Sequence, residues 1–164
     1  MKYYMNRHMV ELIRKTPYKS TALPKKLSKI LEEGIVGIDN CLFFRCFYEA
    51  NSHINQRDFE DNTSYENFIN EFHLDDYCRK GTLNYVFKFV DRLDKLNKEK
   101  DVPISITAYV SYDNEDFTFS FVTSHEGEKH WIEFNDIDDY QQPLMVIYAV
   151  VKDSTEKKYQ KILL

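Results

Sequence analysis

A chain of 164 residues that is 43% hydrophobic and 15% aromatic can bury one sizeable core, and four glycines and four prolines leave no room for long flexible linkers. Three cysteines, an odd number, exclude a simple disulfide framework, and a net charge of −5 argues against a nucleic-acid-binding surface. The longest apolar run, Pro143 to Val151, is too short to cross a bilayer, and Met1 to His8 lacks the apolar stretch of a signal peptide, so one cytoplasmic domain spanning residues 1–164 is expected, without membrane contact.

In chain order, Met5, Met9, Leu12 and Ile13 recur at helical spacing and predict a helix over Tyr4 to Lys15, stopped by Pro17. A second helix is expected from Pro24, with Leu27, Ile30 and Leu31 on one face, Lys25, Lys26 and Lys29 on the other, and Gly34 as its C-terminal cap. The aromatic run Cys41 to Tyr48 has no clean period; its composition favours a strand, with a buried helix as the alternative. Thr63 and Glu66 have capping-box spacing ahead of Tyr65, Phe68, Ile69 and Phe72 on one helical face. After Gly81, Leu83, Val86, Phe87, Val90, Leu93 and Leu96 form an apolar stripe, with Asp91–Lys95 and Asp94–Lys98 as i,i+4 pairs on the wet side.

From Val102 the period becomes two. Ile104, Ile106, Ala108, Val110 and Tyr112 alternate with polar residues, Asp113 to Asp116 makes a turn, and Phe117, Phe119 and Phe121 resume the alternation. A second turn at Glu126 to Lys129 is expected to lead into a strand at Trp131 to Phe134, followed by an acidic loop, Asn135 to Asp139. Leu144 to Val151 is apolar throughout, as a strand covered on both faces would be. Helices followed by strands read as α+β, with N-terminal helices on one face of a mainly antiparallel sheet of about four to five strands.

The sequence contains no G-x-G-x-x-G, G-x-x-x-x-G-K, H-E-x-x-H, C-x-x-C or G-x-S-x-G, so no catalytic residue and no cofactor is assigned. Cys41 and Cys46 stand five apart, on different faces of either a helix or a strand, so zinc shared by them with His53, His73 or Cys78 is not expected. Glu133, Asp136, Asp138 and Asp139 lack the pattern of a calcium loop, and Glu156-Lys157-Lys158 lacks the acidic strand of a restriction-type nuclease. His125 and His130 flank a four-residue turn; a regular hairpin would set them opposite each other, as in a small metal-independent ribonuclease.

Charge is spread unevenly. Residues 1–30 hold eight Lys/Arg and one acid, leaving 14 basic and 26 acidic residues in the rest of the chain. Nine of those acids fall between Asp113 and Asp139, against Lys129 alone. A negative, aromatic-bearing surface suits a basic protein partner and repels phosphate backbones. The candidate binding residues are therefore Asp113, Glu115, Asp116, Glu126, Glu128, Trp131, Glu133, Asp136, Asp138, Asp139 and Tyr140. In size, acidity, aromatic hairpins and segments such as Tyr109 to Tyr112 and His130 to Phe134, the chain resembles the immunity proteins of bacterial contact-dependent growth inhibition and related polymorphic toxin systems. That resemblance implies a cytoplasmic inhibitor that binds and blocks a toxin domain, commonly a nuclease. A small metal-independent ribonuclease using His125 and His130, and an interaction module of a phage or mobile element, are the other readings.

Overall fold

A computed structural model describes residues 1–149 apart from 18, 20, 81 and 100–103. Five strands form one sheet in the order β1 (Lys2–Met5), β7 (Leu144–Ala149), β5 (Ile106–Asp113), β6 (Asp116–Thr123) and β4 (Phe72–His73), with every neighbouring pair antiparallel. A separate hairpin joins β2 (Ile35–Ile38) to β3 (Cys41–Phe44). The helices are α1 (Arg7–Lys15), α2 (Lys25–Glu33), α3 (Arg45–Ala50), α4 (Asn62–Asn70) and α5 (Leu83–Lys98). The fold is α+β, as the patterning implies.

Alternation along the strands separates two cores. Ile106, Ala108 and Val110 of β5, Phe117, Phe119 and Phe121 of β6, and Met145 and Ile147 of β7 pack against Met9, Leu27, Ile30, Ile69, Val86, Phe89 and Val90 of the helices. Phe44, fully buried, meets Phe121 edge-on at 4.8 Å and Phe89 at 5.8 Å, the offset geometry that ring quadrupoles favour. On the opposite face Tyr109, Val122, Leu144 and Val146 pack under Ile132 and Ile137, which descend from the segment between β6 and β7. β7 is thus covered on both faces, as its unbroken apolar run predicts; Val150 and Val151 of that run lie outside the described residues, as do Gly81, Val102 and Glu156 to Lys158.

Several local expectations give way to tertiary contacts. Tyr4 and Met5 belong to β1, not to the first helix, because Asn6 ends the strand and caps α1. The Asn6 carboxamide is fully buried: Oδ1 accepts from the N–H groups of Met9 and Leu144, while Nδ2 donates to the carbonyls of Tyr140 and Gln142. Cys41 to Tyr48 is half strand and half helix, changing at Arg45. The cap of α4 is Asp61, which accepts from Ser64 N–H, and no Thr63–Glu66 capping box forms. Tyr65 and Ile69 are buried, but Phe68, expected on the same face, is 53% exposed and leans on Phe59. Asp91–Lys95 and Asp94–Lys98 pair as expected, at 2.9 and 2.6 Å, although Asp94 is itself buried beneath Lys98.

The largest correction lies beyond Thr123. No strand forms at Trp131 to Phe134; residues 124–133 are turn and irregular chain, and Phe134–Asp139 is a 3-10 helix. Ile132 and Ile137 both pack onto Tyr109, Val122, Leu144 and Val146, so the segment lies across the second face of the sheet as a lid in place of pairing within it.

Candidate functional site

Two places concentrate polar chemistry, and both depend on how α4 and the 124–143 segment meet the sheet. Glu66 and Asn70 lie one helical turn apart and so share a face of α4, between the free edges of β3 and β6. Glu66 Oε1 accepts from Leu42 N–H at 2.5 Å and Oε2 from Thr123 N–H at 2.6 Å. Asn70 Oδ1 accepts from Phe44 N–H, while its Nδ2 donates to the carbonyls of Leu42 and Phe121. Asn67 Oδ1 accepts from the Ser120 hydroxyl at 2.6 Å. Helix side chains thus satisfy backbone groups that a neighbouring strand would otherwise take, and two strand edges are closed without a ladder between them.

The same carboxylate gathers a reactive-group cluster. His125 Nε2 stands 3.1 Å from Glu66 Oε2 with its side chain only 8% exposed, and Thr123 Oγ1 donates to Glu66 Oε1 at 2.8 Å. The Cys41 Sγ completes a trio whose ligand atoms all lie within 4.8 Å of one another, and Gln56 Nε2 donates to that sulfur at 3.8 Å. Burial, reinforced by the carboxylates of Glu66, Glu128 and Asp39, pushes the Cys41 thiol up to about 12, so at neutral pH it is protonated and a poor nucleophile. Cys41 and Thr123 also line a cleft of about 540 Å³ bounded by the β2–β3 turn, Ile104, Ser105 and Ser124. Cys46, placed on α3, is pushed up to about 11 by burial, with Glu33 adding to it.

The acidic segment divides by task. The β5–β6 turn carries Asp113 and Glu115 exposed, while Asp116 accepts from the N–H groups of Asp75 and Phe117 and sits 2.9 Å from His73 Nδ1. At the other end of that hairpin Glu126 is exposed, but Glu128 reaches the first turn of α4, accepting from Asn62 N–H, Thr63 N–H and the Thr63 hydroxyl. Burial tends to raise the Glu128 carboxyl, yet the three Thr63 and Asn62 donors, with His125 nearby, hold it below its ordinary value. Asp138 accepts from Arg7 N–H at the start of α1. Three of the nine acids are therefore helix or turn caps, and Glu133, Asp136 and Asp139 are left exposed on the lid.

Beneath that lid is a groove of about 250 Å³ on the second face of the sheet. Its floor is Tyr109, Ser111, Thr118 and Ser120; Trp131, Ile132 and Tyr140 form one wall. Trp131 is 46% exposed, whereas Tyr109 is only 4% exposed. Burial pushes the Tyr109 phenol up to about 12 against the pull of the backbone at Trp131 and Ile132, and its Oη has no partner of hydrogen-bonding geometry among the described residues.

The expected cross-strand pairing of His125 with His130 is absent, since no ladder exists there: His125 is tucked against Glu66 and His130 is exposed. Among the described residues Glu133, Asp136, Asp138 and Asp139 do not converge on a common point, whereas Cys41, Glu66 and His125 bring three groups of metal-ligand type together. Sequence reasoning missed that trio because its members are 25 and 59 residues apart. One signal was present: Glu66, Asn67 and Asn70 interrupt the apolar face that Tyr65 and Ile69 define, and polar groups on a buried face must find partners.

An α+β domain with a lidded antiparallel sheet and an acidic rim is the class of protein that fold and surface define. The chain belongs to the Uncharacterized protein PM0498 family, whose profile matches residues 4–158. It is similar to the Uncharacterized protein PM0498 of Pasteurella multocida (strain Pm70), at 27% identity over 156 residues covering 87% of this chain and 96% of that protein. No solved structure matches the chain.

Proposed function

We propose that the protein is a toxin-neutralising immunity protein, acting in the cytoplasm by binding a basic toxin domain, of nuclease type, and blocking it. The observation that carries this reading is Trp131: a large aromatic, 46% exposed, on the wall of a groove also lined by Tyr109 and Tyr140, within a segment whose exposed acids include Glu133, Asp136 and Asp139. A half-exposed Trp beside a concave aromatic surface is a binding anchor, and a surrounding acidic rim raises the association rate of a basic partner. The same rim disfavours nucleic acid as the ligand. No helix among the described residues is long and apolar enough to cross a membrane, which fits action away from a bilayer.

The test is association kinetics between the full-length protein and a basic nuclease domain encoded beside its gene, together with growth of cells expressing that domain. Reversing Glu133, Asp136 and Asp139 to Lys should slow association by about tenfold or more and mimic high salt, which shortens screening to about 3 Å at 1 M. Asp138 is left intact because it caps α1. Full protection and unchanged rates in the triple variant would place the interface elsewhere, and no complex with any neighbouring toxin domain would end the reading.

A further inference from the structure

From the trio on β3, α4 and the end of β6, we infer that Cys41, Glu66 and His125 form a binding site for one divalent cation of the zinc class. The three contribute a thiol sulfur, a carboxylate oxygen and an imidazole nitrogen, a mixed S/O/N set that suits zinc and cobalt and does not suit magnesium or calcium. Spacing is close to what an ion would need. Zinc bonds of about 2.0–2.1 Å to nitrogen and oxygen set the tetrahedral N···O edge at about 3.3 Å; Glu66 Oε2 and His125 Nε2 stand 3.1 Å apart.

Sulfur bonds of about 2.3 Å put the edges to Cys41 near 3.5 Å, so Sγ, within 4.8 Å of both partners, has to close by at most about 1.3 Å. A χ1 adjustment supplies that movement. The ion sits between Glu66 Oε2 and His125 Nε2, any proton on that nitrogen leaving to solvent, and leaves Oε2 its bond from Thr123 N–H and Oε1 its bond from Leu42 N–H. Cys41 gives up its thiol proton to solvent as the metal–sulfur bond forms, and the Gln56 amide already pointed at Sγ supports the resulting thiolate. Thr123 Oγ1, 3.1 Å from Glu66 Oε2 and 3.2 Å from His125 Nε2, or a water, fills the fourth position. Every ligand comes from a strand or helix or from the residue pair directly after β6, so the backbone of the site is fixed and only the Cys41 side chain has to move. The inference is independent of partner binding through Trp131.

The experiment uses reduced full-length protein, stripped with a chelator, then loaded with zinc or cobalt and gel-filtered. About one equivalent should be retained, and the cobalt form should show a thiolate-to-cobalt charge-transfer band with tetrahedral d–d intensity. The Cys46→Ser/Cys78→Ser double variant, in which Cys41 is the only thiol, should keep that band. Cys41→Ser should lose the band and weaken retention by tenfold or more, and His125→Ala should weaken it similarly. Wild-type protein that retains no metal, a double variant without the band, or retention unchanged in Cys41→Ser would each overturn the inference.

Discussion

The two faces of the sheet use acidic residues in opposite ways. On the helix-covered side Glu66 is fully buried and its carboxylate is consumed by strand N–H groups, the Thr123 hydroxyl and His125. On the lid-covered side Glu133, Asp136 and Asp139 remain exposed beside a half-exposed Trp131. Burying a carboxylate costs several kcal/mol unless hydrogen bonds replace its hydration, so Glu66 is tolerable only because its partners are fixed by two strands. The exposed acids meet no such demand, because water still solvates them. Charge counted along the sequence does not distinguish these two situations; what distinguishes them is whether a backbone donor stands opposite.

The sharpest break between the faces is expected from Glu66→Ala. It would strand the N–H groups of Leu42 and Thr123 inside the protein and should cost about 3 kcal/mol or more in urea unfolding. Trp131→Ala should instead leave stability within about 0.5 kcal/mol, because the ring is half in water, while weakening partner binding by about thirtyfold, the equivalent of a 2 kcal/mol anchor. A large stability loss from Trp131→Ala, seen by thermal unfolding, would make the ring part of the second core and remove it as an anchor.

Glu128 sits between the two behaviours, half-buried and bonded to the start of α4. Its removal as Glu128→Gln should cost about 1 kcal/mol, the usual worth of a helix cap. The sign with pH follows from its lowered carboxyl. A group whose folded value is depressed stabilises the native state in full above its ordinary value of 4.5, and that contribution fades as pH falls through the folded value. The gap between wild type and Glu128→Gln should therefore be widest near neutral pH and narrow on acidification below 4.5; a gap that stays constant across pH would remove the carboxylate as its source.

The smallest effect is expected at the β5–β6 turn. Asn114 and Glu115 both have positive φ, 48° and 69°, the conformation of a type I′ turn that favours Asn-Gly. Glu115→Gly should relieve the strain and raise stability by about 0.5 kcal/mol. If the same variant also slows association with a toxin domain, the turn is part of the acidic rim; unchanged kinetics would confine the rim to the lid.

Much of the fold was legible because it follows from periodicity. The stripe of α5, the Phe117–Phe119–Phe121 alternation and the double-sided burial of β7 each need only local spacing and one apolar face. Elements that failed were decided by distant partners. Tyr4 and Met5 read as helix on local spacing, but pairing with Val146 and Met145 draws them into β1. Thr63 and Glu66 had the spacing of a capping box, yet Glu128 bonds to the one and the edges of β3 and β6 to the other. Which of the nine acids cap helices or turns was not legible, because it depends on backbone donors at the starts of α1 and α4, far away in the sequence.

By itself the sequence determined the class of fold, the helices at α2 and α5, the β5–β6 hairpin with the face it buries, and the concentration of negative charge in the second half. These are properties of neighbours a few residues apart, where the repeat of helix or strand translates spacing directly into direction. Only the tertiary structure decided that Glu66 and Asn70 close two strand edges, that Ile132 and Ile137 turn an expected strand into a lid, and that Cys41, Glu66 and His125 meet. Such contacts are selected by the whole packed chain, since a buried polar group takes whatever donor the completed fold places within reach, however far away it lies in sequence.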